Sequence, residues 1–449
     1  MKILNTINDI IWGWPLIILL FGTHVFLTIR LKWMQKFIGK AIRMSLAKTG
    51  DGRGDVGHFG ALTTALAATI GTGNIVGVAT AIALGGPGAV LWMWLTGVFG
   101  IATKYGEAVL SIKYRIKTRK GHFAGGPMYV MQLGLKSKWM GACFAVFTAI
   151  AAFGIGNTVQ ANSIAVLVHD TFHISPWISG VVMTFLTALV ILGGIQSISR
   201  VCEKLVPFMA ISYVGGCFII LCMHWQGIPH TLGVILSGAF QGQAAFGGFV
   251  GAGIRETIRY GVARGLFSNE SGLGSAPIVA AAAKTKNPVE QALVSSTGTF
   301  WDTVVVCAMT GLVLVNSGEW IHGLNGATLT KAAFADIPVL GPVILCAGLL
   351  TFVFSTILGW SYYGERAIEY LFGHGSVLPY RWLWVVAVMV GSVVTMPAVW
   401  VFADIANAFM ALPNLVSLIL LNGVIVSETR KHLWDPGLKT KHAALHAKS

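Results

Sequence analysis

The segment Ala68-Thr69-Ile70-Gly71-Thr72-Gly73-Asn74-Ile75-Val76-Gly77 interrupts an apolar stretch with closely spaced glycines and small polar side chains. A helix in lipid satisfies its own backbone hydrogen bonds. An interruption there makes sense only where the freed groups face protein, water or a ligand. The half-helix that ends near Ile70 exposes carbonyls, which suit a bare monovalent cation. The half-helix that starts around Thr72–Asn74 presents N–H groups and a positive dipole end, which suit a carboxylate. One break thereby serves both a cation and the carboxylate of a zwitterion, the combination expected for an amino acid carried with Na⁺. A kink repaired by neighbouring helices is the structural alternative.

A cation also needs oxygen from a second element. Ser355 and Thr356 are adjacent hydroxyls in the apolar run that begins at Phe352, although such hydroxyls often only bond back to their own helix. Asn157 and Gln160 lie three apart on one helical face and offer amides that both donate and accept; interhelical hydrogen bonding is their bland alternative. Trp360, one turn beyond Thr356, and Phe249 are candidates to wall a small pocket. Asp302 is a carboxylate in mid-span, a functional candidate by default, open to an ion, a proton or an internal pair. Lys104 and Glu107 read as a pair, Glu365, Arg366 and Glu369 as interfacial, and Glu256 with Arg255 and Arg259 as a solvated helix end. The sequence offers no nucleophile–base set and no metal-binding His/Glu motif. The glycine-rich Arg264–Gly274 segment lacks phosphate-loop spacing, so neither an enzyme nor ATP-driven transport is expected.

These side chains must be positioned by membrane helices. Of 449 residues, 55% are hydrophobic and only 11% charged, with mean hydropathy +0.73; soluble proteins carry about 25% charged residues. Spans of roughly 20 residues read as 11–30, 58–85, 89–112, 139–166, 176–198, 200–223, 243–262, 290–316, 338–363, 380–399 and 401–426. The net charge of +14 follows alternate connections, from Arg30–Arg53 and Lys113–Lys138 to Arg200, Lys204, the Arg255–Lys286 cluster, Arg366, Arg381 and the tail. The links 86–88, 167–175, 224–242 and 317–337 carry only Lys331. This positive-inside pattern predicts an outside N-terminus and a cytoplasmic C-terminus in the plasma (inner) membrane. Cations spread over every second loop also argue against nucleic acid as a partner. Residues 1–10 show no removable signal peptide, and the six cysteines have neither metal nor disulfide spacing.

With span one (11–30) set aside, two sets of five spans remain with opposite orientation, 58–223 and 243–426, followed by a tail over 427–449. Each set opens with a glycine-interrupted helix, Ile70–Asn74 and Phe246–Gly253, and each closes on a helix with an internal proline, Pro207 and Pro413. Interrupted segments at matching places in inverted halves point to a transporter site.

Gly71–Ala79, Gly193-Gly-Ile195, Glu203–Ala210, Ala263–Pro277 and Phe354–Glu365 together resemble the signatures of the alanine/glycine:cation symporter family, over about residues 50–426. The resemblance implies an all-α integral membrane protein of the leucine-transporter-type five-plus-five fold with one extra N-terminal helix. It implies Na⁺-driven uptake of alanine or glycine by alternating access. Carried over residue by residue, it places Na⁺ on the carbonyls of Ala67, Ile70 and Phe352 and the hydroxyls of Ser355 and Thr356. It places the amino acid on Thr72, Gly73, Asn74, Gln160, Gly248, Phe249 and Trp360. A carrier for serine or glutamine, H⁺ coupling, or a receptor or channel on the same scaffold are the rival readings.

Overall fold

The computed structural model describes residues 2–46, 52–118, 120–241, 253–335, 337–338, 340–394 and 397–435. Apolar runs that leave no backbone group for lipid to satisfy must be helical, and the chain is helical almost throughout. The strands among the described residues are one two-residue antiparallel pair, Ile116–Lys117 with Phe123–Ala124. Lys138–Phe172, Gly194–Met223, Pro288–Asn316, Leu340–Phe372, His374–Val393 and Val401–Leu420 are each long and apolar enough to cross a membrane. Trp14–Arg30 with Met34–Leu46, bent by 66°, and His58–Thr69 with Gly73–Gly85, bent by 54°, pass the same test as pairs. Span three is the 25-residue helix Ala89–Lys113, and span five the shorter Pro176–Ile191.

The surface is inverted relative to a soluble protein. Phe185, Leu189, Ile211, Phe218, Leu383 and Val386 are exposed, whereas Thr64, Asn74, Glu107, Asp302 and Ser355 are buried. Large contiguous apolar surface marks contact with lipid or partners, and the polar chemistry has been gathered inside. Pro207 and Pro413 sit within continuous helices, Gly194–Met223 and Pro397–Leu420, so neither proline ends its span.

Three expectations change. Span five stops at Ile191 and a turn at Leu192-Gly193 separates it from span six, because the Arg381 guanidinium donates to the Leu192 carbonyl (3.0 Å) and takes over that helix end. The links after spans six and eight are partly helical, with Ile228–Gln241 in the first and Gly326–Phe334 in the second.

Span seven is the largest correction. Its helix runs Ile254–Asn269, well beyond the expected end at 262, and its interruption lies at Glu270–Ala276 before the short helix Pro277–Ala280. Gly261 sits against Ala89, Gly265 against Met93 and Thr96, Gly100 against Ser271, and Ser111 bonds Pro277. Residues 254–280 therefore run parallel to span three and against span two. Of the expected break at Phe246–Gly253, residues 246–252, with Gly248 and Phe249, lie outside the described residues. The same geometry moves Arg255, Arg259 and Arg264 to the end of span three opposite Lys113–Lys120, so they do not belong to the basic end of the molecule. Hydropathy hid this, since the arginines and Asn269-Glu270 depress the average of a segment that faces protein instead of lipid.

Candidate functional site

The first half of span two ends at Thr69, and Ile70 turns into extended backbone (φ −75°, ψ 100°). A wide π-helical turn, Gly73–Gly77, then restarts the helix without a side-chain cap. Similar wide turns occupy Ala152–Thr158 in span four and Phe300–Cys307 in span eight. Such turns recur at functional sites because they leave backbone groups free and rotate side chains out of register.

Spans two and nine touch closely enough to share oxygens. A Cβ on Gly359 would lie 2.7 Å from the Ala68 nitrogen, so glycine is what lets the helices meet. Across that contact, the Ser355 hydroxyl donates to the Ala67 carbonyl (3.1 Å) and the Phe352 carbonyl (2.8 Å). The Thr356 hydroxyl reaches the Ile70 carbonyl (3.4 Å) and the Phe352 carbonyl (2.9 Å). The five expected cation oxygens, Ala67, Ile70, Phe352, Ser355 and Thr356, thus form one cluster. Uncharged hard oxygens from two helices suit a monovalent hard cation.

Asn74 has another task. The Gly71 N–H donates to its Oδ1 (2.9 Å), and its Nδ2 donates to Asp302 Oδ1 (2.7 Å) and the Asp302 carbonyl (3.2 Å). The fully buried Asp302 also receives the hydroxyls of Ser268 (2.9 Å) and Thr303 (2.7 Å) on Oδ2. This carboxylate therefore ties the first break to span eight and to the end of Ile254–Asn269.

The second break is held from span three. Glu107 Oε1 accepts the N–H groups of Gly272 and Gly274 (3.0 Å each) and Nδ2 of Asn414 (2.7 Å). Gly272 and Gly274 have φ of +89° and +85°, a conformation that favours glycine. Glu107 is thus a clamp on the break and not the partner of Lys104, whose ammonium is buried without a hydrogen bond among the described residues. Glu365, Arg366 and Glu369, near the end of the helix Leu340–Phe372, face neither lipid nor water. They are buried in a network in which Arg366 pairs with both glutamates, Arg381 with Glu365 (2.6 Å) and His374 with Glu369 (2.9 Å).

Between the breaks lies a small cavity of about 20 Å³. Its walls include Gly71, Thr72, Gly73, Gln160, Thr356 and Trp360 from the expected set, and Ile155, Phe267, Glu270 and Asn407 in addition. Trp360 stays in place because Gly156 yields to it: a Cβ there would stand 2.3 Å from the Trp360 Cβ. The π turn of span four separates the two amides expected on one face. Gln160 faces the cavity, while Asn157 turns away to donate to the Trp384 carbonyl (3.0 Å). Asn74 is not a wall residue. Phe267 and Glu270 were missed because the span was drawn too short. Their signal was present in Ser268-Asn269-Glu270-Ser271-Gly272-Leu273-Gly274, glycines beside polar groups after a helix.

The two ends of the molecule close differently. At the basic end, backbone bridges join Arg53 to Thr285 and Val56 to Ala283. Arg115 donates to the carbonyls of Ala281 (2.9 Å), Ala283 (2.8 Å) and Arg53 (2.7 Å). At the other end, a cavity of about 240 Å³ lined by Trp12, Arg264, Asp404 and Phe267 reaches inward. Phe267 lines this cavity and the small one alike.

Comparison with known proteins identifies the family. The model of the sodium:alanine symporter family matches residues 1–444. The chain is 50% identical to the sodium/alanine symporter AgcS of Methanococcus maripaludis over 440 residues, 96% of each chain. It is 48% identical to an uncharacterised transporter of Haemophilus influenzae, again over 96% of each. Among solved structures, MhsT in complex with L-phenylalanine aligns with a TM-score of 0.60 at 14% identity, covering 82% of this chain and 89% of that one, a likeness of fold. This multi-pass membrane chain belongs to the sodium:alanine symporter family and is a Na⁺-coupled amino-acid transporter rather than an enzyme.

Proposed function

We propose that the chain takes up alanine or glycine with Na⁺ by alternating access, with Na⁺ on the carbonyls of Ala67, Ile70 and Phe352 and the hydroxyls of Ser355 and Thr356. The observation that carries this reading is the oxygen cluster itself, in which two hydroxyls of span nine reach the carbonyls freed by the break in span two. The amino acid occupies the cavity beside it. Its carboxylate meets the uncapped helix start at Thr72–Gly73, with Gln160 and Trp360 completing the walls. Trp360 and Phe267 bound the space left for its side chain. Asn74 acts through Asp302, holding the break open in the required shape, and Asp302 bears on the ion site by fixing that geometry. Gly248 and Phe249 stay proposed substrate contacts.

Two sets of five spans, each opening on a broken helix, move against each other around the site. The basic end, with Lys113–Lys120 and Arg53, faces the cytoplasm of the inner-membrane protein; the N-terminus lies outside and the tail inside. Release into the cell requires the bridges of Arg53–Val56 with Ala283–Thr285 to part, and entry requires Phe267 to swing aside. No ATP and no nucleic acid take part. Uptake of radiolabelled alanine into proteoliposomes tests the reading. An inward Na⁺ gradient should drive accumulation that unlabelled glycine suppresses. Accumulation driven by a pH gradient in Na⁺-free buffer would favour H⁺ coupling, and preferential suppression by glutamine or serine would reassign the substrate.

A further inference from the structure

The segment that follows span one carries cations that the transport site does not use. Lys32, Lys36, Lys40 and Arg43 stand in a stretch with no acidic residue from Gly13 to Gly50. The helix Trp14–Arg30 turns by 66° into Met34–Leu46, and the turn is built in. Lys32 and Trp33 adopt left-handed backbone (φ 54° and 59°), which residues other than glycine seldom take. The Trp33 N–H donates to the Thr28 carbonyl (2.9 Å). Gln35 Nε2 donates to the Val98 carbonyl (2.9 Å) and the Thr28 hydroxyl (3.0 Å). The chain thus leaves span one at a steep angle and is held there.

The two sides of the helix after the turn differ. Ala41 and Ser45 are buried and Ile38 and Ile42 half-buried, where the helix packs on Pro288–Thr299 of span eight and His58–Thr69 of span two. Lys36, Lys40 and Arg43, spaced four and three apart, share the exposed side. None of the three makes an ion pair or a side-chain hydrogen bond among the described residues; Lys36 meets only the ring of its neighbour Phe37 (5.2 Å). Lys32 is engaged, its ammonium lying 4.8 Å from the centre of the Trp434 ring. Trp33 and Leu46 are exposed at the two ends of the stripe. A face meant only for water has no use for an exposed tryptophan and leucine. Tryptophan beside a row of Lys and Arg is the composition of a membrane interface.

We infer that Lys36, Lys40 and Arg43 form a docking stripe for anionic phospholipid headgroups, in the leaflet at the basic end of the molecule. The charges are complementary, and a polybasic segment on a helix directly after a span attracts anionic lipid. The stripe also continues the lipid-facing side of span one, where Ile18, Phe26 and Ile29 are exposed. Cations in loops only orient a chain in its membrane; these sit on a helix seated against the transport core. Its other side rests on Pro288–Thr299, which runs on into Phe300–Cys307 and so to Asp302. Lipid held on the stripe therefore steadies the first turns of span eight. Neither the carried amino acid nor its ion bears on this surface.

The test is the unfolding midpoint of the purified full-length protein in neutral-detergent micelles, titrated with phosphatidylglycerol or with phosphatidylcholine. Phosphatidylglycerol should raise the midpoint more, and about 1 M KCl should erase the difference, since it screens charge beyond ~3 Å. Combining Lys36→Gln, Lys40→Gln and Arg43→Gln should raise the phosphatidylglycerol concentration for half the effect about tenfold or more. Lys36→Arg with Lys40→Arg keeps the charge and should keep the effect. Lys117→Gln with Lys136→Gln and Lys138→Gln, cations elsewhere at that end, should move it by less than about twofold. An unchanged titration in the first variant overturns the proposal, as does an equal loss in the last one, which marks diffuse net charge. An equal rise with soluble glycerol phosphate overturns it too, because no lipid surface is then needed. A dimer seen by light scattering and abolished by the first variant would give the stripe to a second copy of the chain instead. Should that variant not fold, the unmodified protein decides: an equal response to both lipids, or one that survives salt, overturns the proposal.

Discussion

The two breaks differ in which groups touch their freed backbone. At the break of span two only neutral groups touch the backbone, the hydroxyls of Ser355 and Thr356 on its carbonyls and the amide of Asn74 on its turn, with the Asp302 carboxylate one step behind Asn74. The break of span seven is held by a carboxylate, Glu107, that collects two backbone N–H groups and an amide. A hydroxyl can rotate away from a carbonyl and turn its lone pair toward a cation at small cost. A carboxylate with three donors has no comparable alternative, because removing it leaves buried N–H groups unpaired. The first break is thus suited to exchange partners during a transport cycle, and the second to keep its shape while its helix moves.

This difference can be broken most severely at the contact of spans two and nine. Gly359→Ala places a methyl 2.7 Å from the Ala68 backbone nitrogen. Overpacking of this kind costs about 1–3 kcal/mol and here separates the proposed ion oxygens, so alanine uptake in proteoliposomes should be nearly abolished. Thr356→Ala removes one oxygen and leaves the packing intact. It should raise the Na⁺ concentration for half-maximal uptake about tenfold or more, with little change in the unfolding midpoint. An unchanged Na⁺ requirement would remove Thr356 from the ion site.

Gly156→Ala acts on the substrate side. The added methyl pushes Trp360 into a cavity that has almost no spare room. Alanine affinity measured by calorimetry should fall about tenfold, and glycine affinity should fall less, since glycine lacks the methyl that competes for the space. Glu107→Gln tests the second break and should have the smallest effect on the ion. The unfolding midpoint should drop with a cost of about 1–3 kcal/mol, while the Na⁺ requirement moves by less than about threefold. A larger shift in Na⁺ dependence than in stability would show that the second break also takes part in ion binding.

The first break was legible in the sequence because its glycines interrupt an otherwise apolar run, a conflict between lipid and backbone that residue type alone exposes. Ser355 and Thr356 were legible for the same reason, as adjacent hydroxyls in an apolar helix. The interruption at Glu270–Ala276 was not legible, for a physical reason. Ile254–Asn269 faces span three and a polar cavity instead of lipid, so it tolerates Arg255, Arg259 and Arg264, and hydropathy ends the span before Glu270. The roles of Asn74 and Asn157 depended on which neighbour each amide reached. That is set by the π turns at Gly73–Gly77 and Ala152–Thr158, which ideal helical spacing does not reveal. Lys104 and Glu107, three apart, looked like a pair until the unwound chain of span seven claimed the carboxylate.

Ion and amino acid share the first break and therefore stabilise each other's binding. Equilibrium binding of alanine across a Na⁺ series, with Na⁺ binding measured with and without alanine, tests it most directly. Linkage requires the same factor in both directions. Alanine affinity should rise with Na⁺, Na⁺ affinity should rise equally with alanine, and Thr356→Ala should shift the Na⁺ range over which this happens. Alanine affinity that is independent of Na⁺ in the unmodified protein would contradict the account.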